Sequence, residues 1–448
     1  MTPGARVEAA IGLLAEIDRG GGPADDTVAN YFRRHRFAGV KDRQAISGHI
    51  YAVLRHRAQL DWWIARTGKD LPIDARKRVL IALKLVEQWP DDEMKRAFDG
   101  DRFRPMTISN EEQAMLAGLP PSEMRHKEMP PEVAGNYPAW LGPHLEAALG
   151  KDLPREMRAL NEPAALDLRA NLLKADRDTA WMALKQENIE AAQTPLSPLG
   201  LRVFERIPLG TLETFKSGLI EVQDEGSQLA ALLADARPGM RVVDFCAGAG
   251  GKTLTLVAAM NNRGHLVACD VSAKRLERAT ERLRRAGASI VQRVHLSTER
   301  DKWVKKHVGG FDRVFVDAPC TGTGTWRRNP DAKWRLKPKD LEELAALQAE
   351  ILDSAQRLVK GGGRLIYATC SLLREEDESQ IENFLATHPD FSLKPIGEVW
   401  REVFESEPPH RSHTLRLSPA RDGTDGFFVA VMERKLAPKP EPREDDAA

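Results

Sequence analysis

The sequence predicts a multi-domain protein with an all-α N-terminal domain, a small α+β module, and an α/β Rossmann-like domain on a mainly parallel, doubly wound sheet. Three observations predict it. The chain has 448 residues, more than one hydrophobic core supports, so about three domains of roughly 100 to 200 residues are expected. Near the N-terminus, apolar residues recur at three- and four-residue spacing in VEAAIGLLAEI and in AISGHIYAVLRHRAQLDWWIA, which is the period of a helix. From residue 226 onward, short apolar runs alternate with helical stretches, the pattern of strands joined by crossover helices.

Residues 1–150 carry the helical pattern, interrupted by Gly20, Gly21, Gly22 and Pro23, and end in a connector marked by Pro120, Pro121, Pro130 and Pro131. Residues 151–225 mix strand candidates LDLRANLL and LRVFERIPL with the helix candidate DTAWMALKQENI. In 226–435 the strand candidates are VVDFC, LVACD, IVQRVHL, RVFVD, RLIYA and FFVAVM, with helices expected over 272–286, 340–359 and 374–387. Asp340 is spaced to cap its helix with Glu343. Leu341, Leu344, Leu347, Ile351, Ala355 and Leu358 then share one face, and Gly361 is the expected stop. Residues 436–448 read as a disordered tail.

Composition narrows the function classes. Hydrophobic residues make up 42% and charged residues 29%, as in a soluble globular protein. No apolar run approaches the ~18 residues of a membrane span, and the first residues lack a secretory signal pattern, so a cytoplasmic location is expected. The four cysteines, Cys246, Cys269, Cys320 and Cys370, have no regular spacing and no CxxC pair. That argues against a disulfide framework or a structural metal and predicts free thiols. With 66 basic and 66 acidic residues the net charge is zero, so any nucleic-acid partner must be met by local clusters. One is WRRNPDAKWRLKPK at 326–339, with six basic side chains, one acid and two tryptophans; another is RRHRFAGVKDR at 33–43. A solvated loop has the same composition.

The loop AGAGGKT at 247–253 follows the strand candidate VVDFC. A phosphate-binding P-loop would need glycine where Cys246 stands, and a GxGxxG dinucleotide loop starting at Gly248 fails at Thr253. What fits is Asp244 followed by Gly248-Ala249-Gly250, with Asp270 ending the next strand. Small residues let backbone amides approach a ligand, and an acid at a strand tip accepts hydrogen bonds from ribose hydroxyls. S-adenosyl-L-methionine has a ribose and a carboxylate but no pyrophosphate, so a third close-packing glycine is less needed. A nicotinamide site and a plain turn remain open at this point. Ligands of open parallel sheets bind beyond the carboxyl ends of the strands. Cys320 in FVDAPC and Cys370 in RLIYATC both sit at such ends.

Taken together, DFCAGAGGKT, DAPC, ATCS, QDEGSQ at 223–228, RRNPDAKW and DGFF at 425–428 resemble the Sun/RsmB-type RNA cytosine-5 methyltransferases, in the same order along the chain. The resemblance implies a NusB-like helical N-terminal domain (with KDRQAISGHIYAVLR), a small RNA-recognition-like module and a Rossmann-like S-adenosylmethionine-dependent catalytic domain. It implies formation of 5-methylcytosine in RNA, with small-subunit ribosomal RNA the expected target and tRNA an open one. No membrane and no obligate protein partner are expected.

By the same resemblance Cys370 is the nucleophile that adds to carbon 6 of the cytosine, and Cys320 serves product release. Donor binding falls to Cys246, Ala247, Gly248, Ala249, Gly250, Gly251, Lys252, Asp270 and Asp317, with Cys246 contributing through its backbone. Cys246 and Cys269 are otherwise expected to pack. Trp326, Arg327, Arg328, Lys333 and Trp334 are candidates for holding an extruded RNA strand. The chain departs from the family pattern twice. Gly248 and Ala249 stand where alanine and proline are usual, and Leu296-Ser297 replaces the usual Gly-Asp of the third strand, leaving Ser297 or Glu299 to substitute. Two alternatives differ in chemistry: a DNA cytosine-5 methyltransferase with Cys320 as nucleophile, and a non-catalytic RNA-binding factor.

Overall fold

The computed structural model describes residues 1–205 and 207–436. Apart from Leu436, the expected disordered tail lies outside the described residues. The chain forms two compact units: Met1–Pro163 together with Trp326–Pro338, and the remaining residues from Ala164 onward.

The first unit is helical. Its longest helix, Val40–Thr67, buries Ile46, Ile50, Val53, Leu54, Leu60, Trp63 and Ile64 along one side. The helices Pro3–Arg19 and Ala75–Leu85 supply Val7, Ala10, Leu13 and Leu14, and Val79 to Leu83, to the same core. Asp74 caps the second of these by accepting from the Lys77 amide at 2.9 Å. Trp326–Pro338 clusters with this unit rather than with the rest of 226–435. The Trp334 indole donates to the Leu54 carbonyl at 3.3 Å, Arg55 donates to the Arg327 carbonyl at 2.8 Å, and the Ala24 amide donates to Asp331 at 3.0 Å.

Lys333 is 1% exposed, bonded to the Asn161 side-chain oxygen at 2.6 Å and flanked by the rings of Trp326 and Trp334. Burial first, and the Arg55 charge second, lower its pKa to about 7. The unfolded chain would hold that proton up to about pH 10.4. Between those values the folded lysine is neutral while the unfolded one is charged, so the fold gains stability as pH rises through the window. Lys333→Met removes this dependence. Urea unfolding at pH 7, 8 and 9 is expected to show the wild type gaining on the variant by about 1 kcal/mol per pH unit.

The second unit begins with β1 (Leu166–Ala170), β2 (Ala192–Gln193), β3 (Gly200–Val203) and β4 (Ile220–Val222), paired antiparallel in the order β2-β3-β1-β4. Leu168, Ala170, Leu201, Val203 and Ile220 meet Ala180 and Leu184 of the helix Arg177–Gln186 in a small core.

The large sheet comprises β5 (Arg241–Asp244), β6 (His265–Asp270), β7 (Val291–His295), β8 (Phe311–Asp317), β9 (Val359–Thr369), β10 (Phe391–Lys394), β11 (Leu415–Leu417) and β12 (Phe427–Arg434). Its order is β10-β12-β9-β8-β5-β6-β7, with β11 on β12. β5 to β9 pair parallel, and β12 runs antiparallel between β9 and β10. Alternate residues feed two cores. Val242, Leu266, Ala268, Phe315 and Ile366 face one side, while Val243, Val267, Cys269, Val314 and Tyr367 face the other. This explains why these strands read as unbroken apolar runs.

All six strand candidates form, but two helix limits differ. The helix Pro338–Ala355 ends before Gly361, which lies inside β9, so Gly361 does not stop it. The expected helix over 374–387 begins only at Glu378, because the preceding turn is held by side chains described below. Among the described residues, no helix is long and apolar enough to cross a membrane.

Candidate active site

The carboxyl ends of β5, β6, β8 and β9 bear Asp244, Asp270, Asp317 and Thr369, with Cys370 immediately after the last. After Asp244 the chain turns through Ala247, whose amide donates to the Cys269 carbonyl at 2.8 Å. Gly248 and Gly250 take φ of +55° and +79°, which glycine adopts without strain, before the helix Gly251–Ala259. The Gly248 amide donates to one Asp270 oxygen at 2.8 Å and the Ser272 amide to the other at 2.7 Å. Each of those oxygens keeps a further lone pair for a ligand hydroxyl. Arg282, paired with Glu221 of β4 at 3.1 Å, donates to the Ala249 carbonyl at 2.9 Å and ties the loop to the small module. Asp244 is fully buried, and burial pushes its carboxyl up to about 7 against the hydrogen bond from Thr253 at 2.7 Å.

Lys252, on the first turn of that helix, reaches across to Asp317 at 2.6 Å and lies 5.2 Å from the centre of the Phe427 ring. Burial works against its charge, but the Asp317 carboxylate outweighs it, with a further contribution from Cys370, and the ammonium is held above its usual range. The Cys320 and Cys370 sulfurs are 3.3 Å apart, and both thiols are free. The hydrogen bond with Cys370 first, and burial second, push the Cys320 thiol well up.

Two glycines set the separation of the loops. The Gly324 amide donates to the Cys370 carbonyl at 3.0 Å, and the Gly426 amide donates to the Gly324 carbonyl at 2.9 Å. A Cβ on Gly324 would lie 2.4 Å from the Gly426 carbonyl oxygen, so the two backbones approach this closely only without side chains. The start of β12 is thus locked against the Cys320 loop, which gives a physical role to the DGFF stretch.

Of the residues expected from sequence, Ala247 to Lys252, Asp270, Asp317, Cys320 and Cys370 all lie at these strand ends. Cys246 is there too, but burial first pushes its thiol well up, as it does for the buried Cys269, so both are packing thiols. Leu296 is buried, and the Ser297 amide and hydroxyl both donate to Asp301, at 2.9 and 2.6 Å. Led by the Ser297 hydrogen bond, these contacts lower the Asp301 carboxyl to about 2. Glu299 is engaged through its carbonyl, by Ser354. Trp326 and Lys333 are 0% and 1% exposed, so Trp326 offers no free face for stacking on a base and the Lys333 ammonium is spent on Asn161. Sequence reasoning missed Glu376, which joins the two cysteine loops through Thr321 and Ser371. Its one signal is the run of four acids, Glu375 to Glu378, that begins five residues after the strand-end Cys370.

Residues 231–433 match the family described as 16S rRNA methyltransferase RsmB/F, and residues 137–209 match its ferredoxin-like domain. Ribosomal RNA small subunit methyltransferase B of Yersinia pseudotuberculosis (serotype O:1b) is 31% identical over 406 residues, covering 88% of this chain and 91% of that protein. The protein of the same name from Sodalis glossinidius is 30% identical over 411 residues, covering 88% and 90%. One solved crystal structure matches with a TM-score of 0.79 and 27% identity over 97% of this chain and 99% of that one. A methyltransferase homolog protein from Pyrococcus horikoshii matches at TM-score 0.58 and 27% identity, over 68% of this chain and 97% of its own.

Proposed function

Because the chain belongs to the RsmB/F family of 16S rRNA methyltransferases, we propose that it methylates carbon 5 of a cytosine in small-subunit ribosomal RNA, with Cys370 as nucleophile. The observation that carries the reading is the pair of thiols 3.3 Å apart at the ends of neighbouring strands β8 and β9. The family's donor is S-adenosyl-L-methionine, and the loop fits it. Nothing lies within 4 Å of where a side chain on Gly248 would begin, and Asp270 keeps acceptor capacity beside that space. Ala247 to Gly251 would receive the donor along the backbone and Asp270 its ribose, while Lys252 and Asp317 border it. Bound there, the donor supplies an electrophilic methyl group.

The chain's own residues supply the rest. Carbon 5 of cytosine is a poor nucleophile until a thiolate adds to carbon 6. The Lys252 ammonium interacts with Cys370, and the Cys320 sulfur lies 3.3 Å from the Cys370 sulfur, so a positive charge stands beside the attacking sulfur. Sulfur addition makes carbon 5 electron-rich, and it takes the methyl. Once bonded to carbon, the Cys370 sulfur carries no charge and no longer holds the Cys320 proton, so Cys320 is free to ionise to solvent. Its thiolate then removes the proton from carbon 5, the C–H pair re-forms the ring double bond, and the carbon–sulfur pair returns to Cys370. The resting state is restored with one net proton released.

The reversed assignment, with Cys320 as nucleophile on DNA, is disfavoured by the family match, whose members are described as 16S rRNA methyltransferases. The substrate would be met in the cytoplasm, where ribosomes are assembled. The test is bisulfite sequencing of total RNA from cells with and without the gene. One small-subunit cytosine that loses protection when the gene is absent is the expected result; unchanged ribosomal RNA with a lost tRNA or DNA site refutes the target.

A further inference from the structure

Glu376 lies just beyond β9, is fully buried, and is held by residues from both cysteine loops. One carboxylate oxygen accepts from the Thr321 amide at 2.8 Å and from the Gln348 side chain at 3.0 Å. The other accepts from the hydroxyls of Thr321 and Ser371. Thr321 follows Cys320, and Ser371 follows Cys370. The Gln348 amide also donates to the Pro319 carbonyl at 2.9 Å, so the residues on both sides of Cys320 attach to one acid–amide pair. The Glu376 carbonyl is itself fixed by the buried Tyr367 hydroxyl at 2.7 Å. Four donors on two oxygens use the full acceptor capacity of an ionised carboxylate. With every acceptor position of the carboxylate filled, both cysteine loops are tied to one buried anchor.

We propose that Glu376 is a positioning residue for product release: by bracing Thr321 and Ser371 it holds the Cys320 sulfur where it can take the carbon-5 proton while Cys370 is bonded to carbon 6. The inference rests on the covalent reading above. Release needs one sulfur to reach carbon 5 while the other leaves carbon 6, so it depends on the relation between the loops. Addition takes place at Cys370, with Lys252 beside it, and does not require the Cys320 sulfur to reach the base. Loss of the brace therefore slows the second half of the reaction more than the first. Together with the hydrogen bond to Cys370 and with burial, the Glu376 charge also keeps Cys320 protonated until Cys370 is engaged.

The test uses the full chain with a small-subunit ribosomal RNA transcript, in ordinary and 5-fluorocytosine forms, and reads turnover and covalent adduct on denaturing gels. For Glu376→Ala, turnover is expected to fall at least about tenfold while adduct on ordinary RNA rises several-fold over wild type. Glu376→Gln is expected to stay within about threefold of wild type. Its amide oxygen keeps the Thr321 and Gln348 donors, and its NH₂ donates to hydroxyls that rotate to accept. Wild-type turnover in Glu376→Ala, or lost turnover with no adduct on either RNA from a folded variant, overturns the proposal. If Glu376→Ala does not fold, Thr321→Val decides: accumulated adduct supports the brace, and wild-type behaviour overturns it. A wild-type chain that forms no adduct on the 5-fluorocytosine transcript refutes the covalent reading itself, and the brace with it.

Discussion

Cys370→Ala is expected to abolish RNA methylation, by at least about 10⁴-fold, and to leave no covalent adduct with RNA containing 5-fluorocytosine. Cys320→Ala is expected to behave in the opposite sense, trapping enzyme on ordinary RNA because addition proceeds and release does not. The contrast follows from one geometry. The two sulfurs are 3.3 Å apart, but they differ in charge environment. The hydrogen bond with Cys370 first, and burial second, push the Cys320 thiol up, whereas Cys370 is the sulfur that interacts with the Lys252 ammonium. Folding of each variant is checked by its unfolding midpoint, which a sulfur-to-hydrogen change at a half-buried position should move little. Adduct in Cys370→Ala together with none in Cys320→Ala would reverse the assignment and favour the DNA-type reading.

Lys252→Met should slow adduct formation by roughly 10² to 10³-fold, the range typical of removing one preorganised charge from an active site. The same change breaks the 2.6 Å ion pair with Asp317, costing about 1–3 kcal/mol of stability through the unpaired acid. The double variant Lys252→Met with Asp317→Asn separates the two effects. It should recover most of the lost stability and little of the lost rate, as read by thermal unfolding and single-turnover adduct formation. Equal recovery of rate and stability in the double variant would make Lys252 a purely structural residue.

The parts of this site legible in sequence are those written in one short stretch. β5, β6, β8 and β9 are apolar on both faces because both faces are covered, and each ends abruptly in a polar residue at the crevice. The run-then-acid or run-then-cysteine pattern therefore carried the site with it. What stayed hidden depends on distant segments meeting. In LLREED, Glu376 reads as a solvated helix start; it is a buried acceptor only because Thr321 and Gln348 arrive from elsewhere in the chain. WRRNPDAKW reads as an RNA-facing basic strip, since alternating aromatic and basic residues look alike on a surface and in a core. Its Trp326 and Lys333 are buried. Ser297 reads as a stand-in for a missing acid, and the carboxylate it binds, Asp301, stands four residues on. The short strands β10 and β11 lack enough residues for a periodicity to register.

The position of β12 has a consequence for how the protein is made. Among the described residues it is the last strand, yet it lies between β9 and β10 and, through Gly426, against the Cys320 loop. A nascent chain still on the ribosome with residues 427–434 inside the exit tunnel would carry β9 with one edge bare, a template for mispairing with other chains. Both thiols would already have emerged, but the loop bearing one of them would lack its backstop, so catalytic competence waits until Gly426 and β12 emerge.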